Sequence, residues 1–406
     1  MPAPKLTPEM CQAAVDALAK HGNQVAAARA MGLSRSALQH RLAEAANPPR
    51  DPEVAVEPLT SRERFDAAFW RKKATDAQRK ADEAEHVAEQ LAGLRGVEWS
   101  VPDWIMAAGD GEKGRSVVGC LVSDMHMGEV VSSDELNGVN AFDPDICRDR
   151  MKRYFEAACV VGKRWASDTK CEGALLALGG DLISGNLHEE LTISNALTSP
   201  EQVIAATEII AAGIIQLRLA YNRVHVVSVP GNHGRTTHKS TAKLYSRLSY
   251  DTMIAAMLAE RFRGDKHITF QYGPAKDQIA PIFGRSVLLT HGDKLGSRGG
   301  MGFAGPNLPI VRGTKKVEAQ QARLGRRPDL ILMGHFHTSS NPGGVLANGS
   351  VVGYGEYADD IRADPDFPSQ WLFLLHSKWF LRERAPIVLE EPALPEKPRV
   401  RVPAWS

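Results

Sequence analysis

Cysteine is scarce in this 406-residue chain, and it is not paired in any pattern. Cys11, Cys120, Cys147, Cys159 and Cys171 are odd in number and contain no C-x-x-C spacing. That argues against a secreted disulfide framework and against a thiolate zinc site. Net charge is almost absent as well: 49 Lys and Arg stand against 48 Asp and Glu, a formal +1. Any claim of an anionic partner must therefore rest on local patches. Long hydrophobic runs are missing too. The longest apolar-leaning stretch, "VIAATEIIAAGIIQL", is short and carries Glu208, and the N-terminal residues hold no signal-type apolar region. No internal repeat is evident. The expectation is a protein of the reducing cytoplasm with no membrane partner.

What is present sorts into zones. Length allows two or three domains, and a hydrophobic content of 43% is ordinary for a globular protein. Residues 1–46 are short, helical and punctuated by turns. A Pro-rich linker follows over 47–60 ("NPPRDPEVAVEPLT"), then a charged helical stretch over 61–95. From 115 to 385 apolar strands alternate with helical segments: "SVVGCLVSD", helix 145–167, "GALLALGGD", helix 200–221, "RVHVVSVPGN", helix 241–262, "RSVLLTHGD" and "DLILMGHFH". This alternation predicts an α/β layered fold with strands buried on both faces. A Pro-rich tail occupies 386–406.

The informative feature is where the strands stop. The first ends at Asp124 and His126, the second at Asp181, the third at Asn232 and His233, the fourth at His291, and the fifth at His335 and His337. Polar residues at strand ends are where sites assemble in α/β folds. On a strand, positions i and i+2 face one side, so His335 and His337 are expected to project together. Singly, each residue reads as a turn, cap or hydrogen-bonded surface residue; five strand ends behaving alike read as a metal site. Carboxylate, imidazole and amide oxygen without thiolate suit Mn²⁺, Fe or Zn²⁺. Seven ligands exceed one four-coordinate ion, so a two-metal site is the natural reading, of the kind that clamps a phosphoryl group.

The ordered set D-x-H, GGD, GNH, H and GHxH resembles the calcineurin-like metallophosphoesterases over roughly residues 115–385. The resemblance implies two β-sheets sandwiched between helices. It implies that Asp124, His126, Asp181 and His337 hold one ion and that Asp181, Asn232, His291 and His335 hold the other, with Asp181 bridging. It implies further that His233 protonates the leaving oxygen or stabilises the transition state. Two departures stand out. "GNHGR" lacks the acidic residue that usually orients this histidine, and "GGDLISGNLHEE" lacks the Asp-Arg-Gly arginine of phosphoprotein phosphatases. The form is closer to the phosphodiesterase and nuclease branch, including the SbcD-type repair nucleases. Arg235, His238 and Lys239 are candidates for contact with substrate phosphate, the alternative being a solvated loop.

Residues 21–45, "HGNQVAAARAMGLSRSALQHRLAEA", predict two helices about a turn at Gly32-Leu33, the second capped by Ser34. Val25, Ala28, Leu33, Leu38 and Leu42 form the expected buried seam, and Arg35, Ser36, Gln39 and His40 face away. This resembles the helix-turn-helix of Fis-type DNA-binding proteins, whose second helix enters the major groove. Six basic residues against three acidic ones in positions 1–50 are compatible with phosphate contacts; the alternative is a small protein-interaction domain. From Ala67, an alanine-lined 3-4 spacing through Trp70, Ala74, Ala77, Ala81, Ala84, Ala88 and Leu91 reads as a coiled-coil seam for a homodimer through 67–91, or as a surface helix.

Together these readings lead to the expectation of a two-metal phosphodiester hydrolase acting on DNA, as endonuclease or exonuclease. The domain combination looks like a bacteriophage or prophage product. The alternatives are a phosphatase or small-molecule phosphodiesterase, and a DNA-binding regulator with a silent core.

Overall fold

A computed structural model describes residues 6–46, 71–75, 78, 101–107, 114–187, 189–295 and 307–390. The chain divides into two compact units, residues 1–75 and 76–406. Residues 71–75 are helical; the rest of the expected coiled-coil seam, apart from Gln78, and the expected linker over 47–60 lie outside the described residues.

In the first unit, α1 (Pro8–His21), α2 (Gln24–Ala30) and α3 (Arg35–Ala46) enclose a small core. Asn23 caps α2 through Ala26 N at 2.9 Å, and Ser34 caps α3 through Ala37 N at 3.2 Å. Gly32 takes φ +65° in the turn between them, a conformation costly for residues with a β-carbon. Ala14, Ala27, Ala28 and Leu38 are buried, with Leu18, Met31 and Leu42 packed against them. The expected seam needs one correction: Val25 is 62% exposed. It lies in the first turn of α2, and Ala27 and Ala28 present the face that meets α1 and α3 instead. Leu33 is half-buried, and Arg35, Ser36, Gln39 and His40 are exposed.

The second unit is α/β with two mixed sheets. The larger contains β1 (Arg115–Val122), β2 (Lys170–Leu178), β3 (Val224–Ser228), β4 (Ile268–Gln271), β9 (Ser369–His376) and β10 (Phe380–Val388), in the order β10-β9-β1-β2-β3-β4. β1 to β4 are mutually parallel, and β9 and β10 add antiparallel at one edge. The smaller contains β5 (Gln278–Ile282), β6 (Arg285–Leu289), β7 (Leu330–Met333) and β8 (Val345–Ala347), in that order, with β6, β7 and β8 parallel.

Side-chain alternation assigns each strand face to a layer. On β1, Val118, Cys120 and Val122 pack with α5 (Pro144–Trp165), α7 (Ser199–Tyr221) and α8 (Tyr250–Arg261), while Val117 and Leu121 turn the other way. Val117, Leu121, Leu175, Ala177 and Val227 share one core with Val287, Leu289, Leu330, Leu332 and Leu346, so the two sheets pack face to face. Ile105 of the short α4 (Asp103–Met106) joins this core. On the far face of the smaller sheet, Leu288, Ile331 and Met333 meet Ile310 of α9 (Asn307–Arg323). Two further short helices, α6 (Glu189–Ser194) and α10 (Glu356–Asp360), lie in connections.

Among the described residues α7 alone is long and apolar enough to cross a membrane by length and composition. Its Val203, Ala206, Ile210, Ile214 and Leu217 instead lie in the core beneath the larger sheet. The helix expected over 241–262 begins only at Tyr250, capped by Ser249 through Asp251 N at 3.2 Å. Residues 234–249 form a closed loop instead, in which Tyr245, Ser246 and Ser249 are buried and Tyr245 and Ser246 bond Asp293 Oδ2 and Gly273 O. β10 also continues to Val388, past the expected boundary at 385.

Candidate metal centre

Because β1, β2 and β3 are parallel, as are β6 and β7, the loops after them leave on one edge of each sheet. Main-chain bonds stitch these loops together: Asp124 N to Gly180 O at 3.0 Å, Met125 N to Asp181 O at 2.9 Å, and Gly334 N to His291 O at 2.9 Å. None of the expected ligands lies within a strand. β1 stops at Val122 and β7 at Met333, and Asp124, His126, Asp181, His335 and His337 all have positive φ, between 45° and 74°. Each such residue costs on the order of 1–3 kcal/mol, and conformations of this kind cluster at functional sites.

That conformation corrects the expectation that His335 and His337 project together. The left-handed turns send them apart. His337 joins Asp124 and His126, whereas His335 joins Asp181 and His291. A third group comprises His126, Asp181 and His233, so Asp181 belongs to two groups, as does His126. His126 Nε2 is 3.2 Å from His337 Nε2, which in turn is 3.4 Å from Asp124 Oδ1. On the other side His291 Nε2 lies 2.9 Å from Asp181 Oδ2 and 3.0 Å from Asn232 Oδ1. Asp124, His126, Asp181 and His291 are buried. All seven expected ligands are therefore brought together, and these buried His/Asp groups could hold a metal ion. Imidazole nitrogens facing one another beside buried carboxylates are a donor set that suits a cation.

The electrostatics follow from this crowding. Burial opposes ionisation of Asp181, yet His291 and His233 hold its carboxyl well below the usual range. Burial likewise opposes the charged form of His291, but the Asp181 carboxylate prevails and pushes it up to about 10. For His335, burial and the neighbouring His291 act in the same direction and lower it to about 4. His233 is also lowered to about 4 by burial, with Asp181 opposing.

The orientation of His233 has a clear source. Its Nδ1 lies 2.9 Å from Ser184 O, a carbonyl that can only accept, so Nδ1 carries the proton and Nε2 is left with its lone pair. Its main-chain N–H donates to Asp181 Oδ1 at 2.7 Å. A main-chain carbonyl thus takes the place of the acidic residue absent from "GNHGR". Gly179 O does the same for His291 Nδ1 at 2.8 Å.

Two acidic residues in this framework are not evident from the sequence. Glu129 places a carboxylate 2.9 Å from His126 Nδ1; burial opposes the charged form of His126, but the Glu129 carboxylate prevails and raises it to about 9. Asp251 is fully buried and accepts from Gly231 N at 2.8 Å, Leu182 N at 3.0 Å and Asp181 N at 3.3 Å, tying the second loop to the third. Gly231 and Gly334 are required for close approach: a β-carbon on either would overlap the carboxylate of Asp181 or Asp124 respectively.

The three candidate phosphate contacts divide. Arg235 is committed to its own loop, donating to Asn232 O, Thr237 O and His238 O. It therefore shapes the loop and is not a free phosphate ligand. His238 and Lys239 are exposed. No protein-family model matches the chain, and no curated protein matches it.

Proposed function

We propose that this chain is a two-metal phosphodiester hydrolase of the calcineurin-like metallophosphoesterase type, acting on DNA. The observation that carries the reading is the membership of Asp181 in two of the three donor groups, at the meeting point of five strand-end loops. In this reading Asp124, His126, Asp181 and His337 hold one ion, and Asp181, Asn232, His291 and His335 hold the other. Two divalent cations, Mn²⁺ or alternatively Fe or Zn²⁺, would supply a water of lowered pKa and neutralise charge on the phosphoryl oxygens.

The remaining work falls to the chain. His233 is neutral, and with Nδ1 carrying the proton its Nε2 is the atom that can accept another. An anionic phosphodiester beside it favours uptake of a proton from solvent at Nε2, and the imidazolium so formed gives that proton to the leaving oxygen. Ser184 O holds the ring in place through this exchange. Diesters are favoured over monoesters because the positions after Asp181 are Leu182 and Ile183, both fully buried, with no arginine to grip a terminal phosphate.

The first unit supports targeting to duplex DNA. α2 and α3 are joined by a short turn, and Arg35, Ser36, Gln39 and His40 lie on the exposed face of α3, as in a helix-turn-helix. The reading is tested with Mn²⁺-loaded protein on bis(p-nitrophenyl) phosphate, p-nitrophenyl phosphate, and supercoiled, linear and single-stranded DNA. Diester turnover and DNA cleavage should dominate. Strong monoester turnover with intact DNA would establish the phosphatase alternative, and no turnover on any substrate would establish the silent regulator.

A further inference from the structure

The loop over residues 234–249 follows directly from the third donor motif, and its charge is one-sided. Between Gly231 and Tyr250 there are four Lys or Arg, namely Arg235, Lys239, Lys243 and Arg247, and no Asp or Glu. Connections this long without secondary structure are uncommon in compact domains and are often functional. This one is closed and braced. Tyr250 N donates to Gly234 O at 2.7 Å and Thr236 N to Leu248 O at 2.9 Å, joining its ends. Inside, Tyr245 donates its hydroxyl to Asp293 Oδ2 at 2.9 Å, and Ser246 bonds Gly273 O at 2.6 Å. Tyr245 also reaches Gly231 O at 3.2 Å, and Arg235 reaches Asn232 O at 3.1 Å, so the loop is fixed to the donor residues themselves.

The cations outside this brace are not spent on it. Lys294, by contrast, is held by Asp293 and Ser240 at 2.7 Å each. Lys239, Lys243 and Arg247 are exposed, and none has a carboxylate partner among the described residues. Three cations carried on one short stretch, residues 239–247, with no acidic residue among them, favour a polyanion as partner. A small diester carries one charge and cannot span several cations, whereas a nucleic-acid strand presents a phosphate at every nucleotide.

We propose that residues 234–249 form a ledge for the sugar-phosphate backbone of a nucleic-acid strand, with Lys239, Lys243 and Arg247 contacting its phosphates and Arg235 holding the loop in shape. The ledge makes the polymer, not an isolated diester, the preferred substrate of the diester-hydrolase reading on which it rests. The test uses the full chain and its Lys239→Ala/Lys243→Ala/Arg247→Ala variant. Binding of a fluorescent 12-nucleotide strand is followed by anisotropy in EDTA, where no hydrolysis intervenes, across a salt series. The variant should bind at least about tenfold more weakly, and the slope of log affinity on log salt should shrink by about 2–3, from roughly 0.7–0.9 per phosphate contact. A Lys239→Arg/Lys243→Arg variant should retain the full slope. With Mn²⁺, the kcat/KM of the alanine variant for the strand should fall at least about tenfold further than its kcat/KM for bis(p-nitrophenyl) phosphate. Unchanged affinity and slope in the alanine variant would overturn the proposal. If the wild-type chain leaves bis(p-nitrophenyl) phosphate intact, the diester-hydrolase reading fails, and the binding arm still decides the ledge.

Discussion

The main-chain N–H of His335 donates to Asp124 Oδ1 at 2.9 Å, joining the loop after β7 in one sheet to the loop after β1 in the other. One carboxylate oxygen thus ties the two sheets together at the edge where the donors gather. Ser123 Oγ bonds the other oxygen, so Asp124 has little freedom to turn. Misplacing this carboxylate should damage both halves of the centre together.

Gly334→Ala tests that coupling. Its new β-carbon would displace the Asp124 carboxylate, and with it the loop carrying His335 and His337. Activity should fall by about 100-fold or more, as expected when reacting groups shift by an ångström. Steady-state rates on bis(p-nitrophenyl) phosphate check this, with circular dichroism showing that the fold persists. Wild-type rates would mean that the Asp124 position is not critical.

Glu129→Gln probes the orientation of His126. Carboxylates that hold a metal-binding histidine typically affect affinity by about 10–100-fold. Calorimetric titration of the metal-free variant with Mn²⁺ should show weakening in that range, and an unchanged isotherm would remove Glu129 from the centre.

His225 on β3 gives a stability prediction. It is fully buried and paired with Thr269 at 2.9 Å, and burial lowers it from 6.5 to about 4. Between those values the unfolded chain binds the proton and the folded chain does not. Stability from this residue is therefore complete above about pH 6.5 and declines as pH falls toward 4, by roughly 3 kcal/mol in total. Urea unfolding of metal-free protein at pH 7.5, 6 and 5 should show a shallower pH dependence for His225→Gln than for wild type. Parallel curves would contradict the assignment.

The first unit is tested by truncation. Removing residues 1–46 should weaken duplex binding and flatten its salt dependence, while metal-dependent hydrolysis of a small diester survives. Arg35→Ala and Gln39→Ala should lower duplex affinity, whereas Leu38→Ala, at a fully buried position, should cost roughly 2–5 kcal/mol of stability in that unit. Anisotropy with a labelled duplex across a salt series separates the outcomes, and an unchanged slope would assign the unit to protein interaction instead.

The donor positions are legible in the sequence because β1, β2, β3, β6 and β7 are apolar on both faces, so a polar residue at the end of each run stands out. How the donors divide is not legible. A two-residue repeat reads as strand alternation, and the left-handed φ of His335 and His337 emerges only when the loops pack against each other. Asp251 after Ser249 resembles any solvated helix start; its burial depends on Gly231 and Leu182, 20 and 69 residues away. β10, "FLRERAPIV", carries three charges and a proline, a pattern suited to an edge strand but without an apolar run to mark it. Val25 looks like a seam residue by type and spacing, and is exposed because alanines two and three positions on allow closer helix contact.

The central claim is a dinuclear centre joined at Asp181, and metal content measured beside diester hydrolysis tests it most directly. Wild-type protein loaded with Mn²⁺ and freed of excess should contain about two ions per chain and hydrolyse bis(p-nitrophenyl) phosphate. Asp181→Asn, which leaves a neutral amide between the two groups, should lose that activity and bind metal more weakly. One ion or none in the loaded wild type, or full activity in Asp181→Asn, would contradict the account.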